Sequence, residues 1–160
     1  DALGREDRQR AAEILTFVTN IEQAGDIVDR NLLGLASKRM KRGLAFSQEG
    51  KQELLVLADS LIANTRKAAS LFMTGDARTA RMLANEKEIF RQSEDDGTSA
   101  HFERLRAGRI EAADTSALHL DLLRDMKQVN SHLVAAAAYP VLERHQALLP
   151  SRVSVAQSSC

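Results

Sequence analysis

Asn20-Ile21-Glu22-Gln23-Ala24-Gly25-Asp26-Ile27-Val28-Asp29-Arg30-Asn31 is the stretch whose reading decides the fold. It carries three carboxylates, Glu22, Asp26 and Asp29, at i, i+4 and i+7. At roughly 100° per residue these share one side of a helix, within about 60° of each other. Apolar and small residues recur around them in steps of three and four: Ala11, Ile14, Leu15, Val18, Ile21, Gly25, Val28 and Leu32. That period predicts a first helix from about Arg5 to Lys41, with the stripe against a core and the acids at its edge. Acids beside a helical seam either meet cations from neighbouring helices or ligate a hard metal.

Outward from this stretch, the composition is that of long helices. Ala, Leu, Arg and Glu dominate the 160 residues, with 8 Gly and only 2 Pro, Pro140 and Pro150. The length suits one domain, expected at 1–150, followed by a small, polar and disordered tail at 151–160. The 22 basic and 22 acidic residues balance, and aromatics make up 4% with no Trp, so a nucleic-acid partner is not expected. The single cysteine, Cys160, excludes an intrachain disulfide. No apolar run approaches the ~20 residues that span a bilayer. The chain begins with Asp1, which reads as a piece of a longer polypeptide, with any membrane part outside it.

Local signals divide the chain into about four long helices in an elongated, antiparallel, all-α bundle. Gly43 ends the first, loosened near Gly34. Ser47 caps a second, which carries Leu54, Leu57, Leu61, Ala68 and Leu71 and closes at Gly75. Asp76 caps a third, with Ala80, Leu83, Ile89, Phe90, Phe102 and Leu105, a weak spot at Asp95-Asp96-Gly97 and a stop at Gly108. A fourth starts near Asp114 or Thr115 and runs past Leu123, Met126, Val129 and Leu133 to a kink at Pro140, whose ring clashes with the carbonyl of Ala136. No alternating apolar and polar run predicts a strand.

Enzymatic chemistry finds little to stand on. No Asp or Glu precedes His101, His119, His132 or His145 by three residues, as a dimetal carboxylate bundle would need. No nucleophile elbow or phosphate-cradling glycine loop occurs. What remains is oxygen ligation of a divalent or ferric ion by Glu22, Asp26 and Asp29, with Glu86 leaning in beside them. Asp121, Asp125, Gln128 and His132 form a second row, within which Asp125 and His132 are a weaker metal pair. For both sets, ordinary ion pairing is the competing reading, and it gives a plain helical interaction module.

Asn20-Ile21-Glu22-Gln23-Ala24-Gly25-Asp26 resembles the signature of PhoU-like proteins, regulators of phosphate uptake, in which acids four apart are associated with metal clusters. Lys127 falls 127 − 22 = 105 positions after Glu22, and Leu122–Leu133 looks like a second copy. There, Lys127 and Ser131 stand where the family has acids, so the Glu22/Asp26 face is the better metal candidate. The resemblance implies the last helix of one three-helix repeat followed by a complete second repeat. Asn130-Ser131-His132-Leu133 and Ala138-Tyr139-Pro140-Val141-Leu142-Glu143 are similar to the C-terminal domain of bacterial sodium/phosphate cotransporters. That implies a non-enzymatic regulatory domain at the cytoplasmic side of the inner membrane, with the transport domain of the same polypeptide as partner. Because two helices of the first repeat fall outside the chain, part of the first helix's stripe is expected to be bare and to drive homo-oligomerisation.

Overall fold

A computed structural model of the chain describes residues 2–145, and all regular structure in them is helical. The tail expected at 151–160 lies outside the described residues. Helix α1 (Ala2–Asp26) passes through a wide, π-type turn (Ile27–Leu32) straight into α2 (Leu33–Arg42). Gly43 then ends this rod in the left-handed conformation, φ 61°. Ser47 caps α3 (Gln48–Thr74) by accepting from the Gly50 N–H at 3.1 Å. Gly75, φ 66°, closes α3, and Asp76 caps α4 (Ala77–Arg106) by accepting from the Thr79 N–H at 2.7 Å. A short α5 (Ile110–Asp114) leads into α6 (Ser116–Leu133), a second wide turn (Val134–Ala138) and α7 (Tyr139–Arg144).

Side-chain pairs give the direction of each rod. Asn64 meets Asn130 and Glu53 meets His119, so α3 and α6 run parallel. His101 meets Ser116 and Lys87 meets Tyr139, so α4 runs against α6. Asn20 meets His132 and Glu13 meets Arg144, so α1 also opposes the α6–α7 rod. Helix α6 is the hub: α3, α4 and α1 all pack on it, and α3 and α4 also pack on each other. Phe90, Leu71, Leu83, Leu123, Leu142 and Val134 fill the centre of the three-helix unit. Each such burial contributes about 1.5–3 kcal/mol.

The stripe expected to be buried on the first helix is corrected by the structure. Its inward residues are Glu13, Phe17, Asn20, Ile21, Ala24, Ile27, Leu32, Leu35 and Arg39. Ile14, Leu15 and Val18 face outward, 42%, 68% and 54% exposed. Two polar residues, Glu13 and Asn20, occupy seam positions, and the inward line jumps by five between Ile27 and Leu32. That step is the wide turn, which inserts one residue per turn and rotates the helix beyond it.

Three further expectations are revised. No weak spot occurs at Asp95-Asp96-Gly97, because α4 is continuous there and Gly97 is buried. A Cβ on Gly97 would lie 3.0 Å from Leu123 Cδ1, so glycine serves close helix approach. Ile89 and Phe102 are exposed rather than in the core. The disturbance expected at Pro140 is taken up upstream by the wide turn, where the Tyr139 N–H bonds the Val134 carbonyl five residues back. Ala136, Ala137 and Ala138 are buried in that turn, the close approach expected of small residues.

Candidate functional site

The three acids of the opening stretch lie on the outer surface of α1 and its wide turn, and all are exposed. Asp26 pairs with Arg30 at 3.4 Å, one turn on. Glu22 and Asp29 have no ion pair among the described residues. Glu86 does not join them. It is held from α3, accepting from Asn64 Nδ2 at 3.1 Å and lying 3.9 Å from Lys67 Nζ.

The second candidate row is also split. Asp125 is buried against Arg124, 3.3 Å from its Nε, while Arg124 reaches Asp121 at 3.0 Å. His132 turns toward α1 and shares a 3.1 Å hydrogen bond with Asn20 Oδ1. Lys127 pairs with Glu94 of α4. Among the described residues no three His, Cys, Asp or Glu side chains converge as a metal site would require. Where the first wide turn crosses α6, a groove is lined by Arg30, Asn31, Lys38, Asp121, Arg124 and Asp125. Acids and cations alternate there, so charge pairing rather than ligation describes that end of the seam.

Two buried polar clusters escaped sequence reasoning. In the first, Asn64 donates to both Glu86 and Asn130 Oδ1, the latter at 3.0 Å, with Asn64 and Asn130 fully buried. The second gathers the ends of α3, α4 and α6 around His119. Arg104 grips Glu53 with two bonds of 2.7 and 3.1 Å, and Glu53 Oε2 lies 3.3 Å from His119 Nε2, off the line of a good hydrogen bond. His101 stacks on His119 with ring centres 5.0 Å apart and bonds Ser116 Oγ at 2.8 Å. Phe46 meets His119 edge-on.

Burial holds both imidazoles below their ordinary pKa, His119 to about 4, reinforced by His101 and only partly opposed by Glu53. Both rings are therefore neutral packing elements at pH 7. Their partners lie far apart in the chain, so no local spacing betrays them. The one available signal was a polar residue inside an otherwise apolar period, as at Asn64 between Leu61 and Ala68.

The architecture is thus a three-helix unit with a fourth rod laid along one side of its hub helix. In sequence, the chain is 42% identical over 144 residues to a Salmonella typhimurium protein named "Putative inorganic phosphate export protein YjbB". It is 40% identical over 144 residues to proteins of the same name from Escherichia coli (strain K12) and Shigella flexneri. These alignments take in 90% of this chain and 26% of each relative, so the chain spans about a quarter of the length of the curated relatives it matches. No family model and no solved structure matches the chain. The relatives' name agrees with the expected family on phosphate transport and says nothing of sodium or of regulation.

Proposed function

We propose that this chain is a non-enzymatic helical module of a longer phosphate-transport polypeptide, acting on a membrane-spanning part elsewhere in that polypeptide. The observation that carries this is 42% identity across 90% of the chain to a quarter of a protein named for inorganic phosphate export. No helix among the described residues is long and apolar enough to cross a membrane. In this reading, passage of phosphate falls to the rest of the polypeptide, and the module regulates or assembles it from the cytoplasmic face of the inner membrane. Coupling to sodium is the finer form of the proposal, suggested by the resemblance of the last helix to sodium/phosphate cotransporters. The acid row of α1 serves it as a charged docking edge, a role favoured over metal ligation by the dispersal of Glu86, Asp125 and His132 to other partners.

The test is phosphate flux in cells carrying the full polypeptide with and without the segment equivalent to residues 2–145. Radiolabelled phosphate is followed in sodium and in choline medium, with membrane insertion checked separately. The deletion is expected to leave an inserted transporter whose flux no longer responds to phosphate supply. Flux and response both unchanged would sink the proposal, and equal flux in choline would remove the sodium clause alone.

A further inference from the structure

The outer face of α1 falls into two halves. From Ala11 to Val18 it is apolar, with Ala11, Ile14, Leu15 and Val18 all exposed. From Glu22 to Asp29 it is acidic, the row Glu22, Asp26 and Asp29 being interrupted by the bare Gly25. Before the apolar half stand two exposed arginines, Arg5 and Arg8, with no ion pair among the described residues. At about 100° per residue, Leu15, Val18 and Glu22 lie roughly opposite the inward line through Glu13, Phe17 and Ala24, and Asp29, within the wide turn, is exposed as well. The hub helix therefore covers none of them.

We infer that a second copy of this chain covers this face, with the two α1 helices antiparallel and the two-fold axis near Leu15 and Thr16. Charge selects the direction. A parallel pair would set Glu22, Asp26 and Asp29 against their own copies, and like charges directly opposed are costly. In the antiparallel pair, positions whose numbers sum to about 32 face each other. Ile14 then packs on Val18 of the second copy, and Leu15 lies beside its own symmetry mate. The same register carries Arg8 to the edge between Glu22 and Asp26 of the second copy, and Arg5 toward its Asp26 and Asp29. The two-fold axis repeats this at the other end, so both acid rows gain cations while both apolar patches leave water. Apolar in the middle and complementary in charge toward both ends, the face matches itself.

Sedimentation equilibrium of the 160-residue chain tests this. The chain is expected to be dimeric at about 10–100 µM, and Leu15→Glu, at an exposed position, to be monomeric with unchanged helix content by circular dichroism. Arg8→Glu is expected to raise the dissociation constant about tenfold, and Arg8→Glu with Glu22→Arg to recover most of that loss. In a Cys160→Ser background, Leu15→Cys should cross-link under mild oxidation, while the exposed Ile110→Cys, on α5 at the other end of the three-helix unit, does not. A monomer at ~200 µM, or a dimer indifferent to Leu15→Glu, would overturn the inference.

Discussion

Acidification should find the His119 cluster first. The ring is almost fully buried, and its folded pKa is depressed to about 4, against about 6.5 in an unfolded chain. Between those values the unfolded state binds a proton that the folded state refuses. Stability is therefore complete above about pH 7 and falls as the pH drops toward 4. A gap of about 2.5 pK units at about 1.4 kcal/mol each sets a total near 3 kcal/mol, of which roughly 2 is lost by pH 5. The groups facing the ring are Glu53 from α3 and His101 and Arg104 from α4. Glu53 alone favours the proton, and Arg104 already neutralises it. The assay is urea unfolding at intervals from pH 7.5 to 4.5 for the wild type and His119→Gln. Carboxylates titrate alike in both, so the difference in slope isolates the imidazole. We expect the wild type to lose about 2 kcal/mol more than the variant between pH 7 and 5. Parallel pH profiles would refute the reasoning and would mean that the buried ring accepts its proton at little cost.

Two smaller expectations complement it. Asp76→Ala removes the oxygen that accepts from the Thr79 N–H and hydroxyl at the start of α4, and should lower the urea midpoint of unfolding without changing its slope. Glu22→Ala combined with Asp26→Ala should leave metal content by elemental analysis as it is in the wild type. A loss of stoichiometric metal in that double variant would return the acid row to the role of a ligand set.

Helix ends were legible because their signals are local. Ser47, Gly75, Asp76 and Gly43 act within four residues of themselves, through one side-chain oxygen or one left-handed backbone, and the structure places each as the sequence predicts. The facing of α1 was not legible, for two separate reasons. Glu13 sits at a seam position because Arg10 and Arg144 reach it, at 3.2 and 3.5 Å, and the second of these lies 131 residues away. Asn20 is tolerated there because His132 of α6 meets it. A period of three and four also cannot register a turn that takes five residues, so the apolar residues of the outer face outscored the true inner line. The candidate acids were correctly placed on one face of one helix. Which side chains they would meet depended on that facing, and on partners that only the fold brings within reach.

The five-residue step between Ile27 and Leu32 also works as a phase adjuster. Upstream of it the outward residues are Leu15 and Val18, and downstream they are Leu33 and Met40, 56% and 76% exposed. An uninterrupted α-helix would have set Asn31 and Lys38 on the inward line in place of Leu32 and Arg39. Chain length across those few positions, rather than the identity of any one side chain, therefore decides which surface the end of the rod offers to its surroundings. Shortening the chain there by a single residue would turn α2 by about a quarter of a revolution without altering any of its own residues.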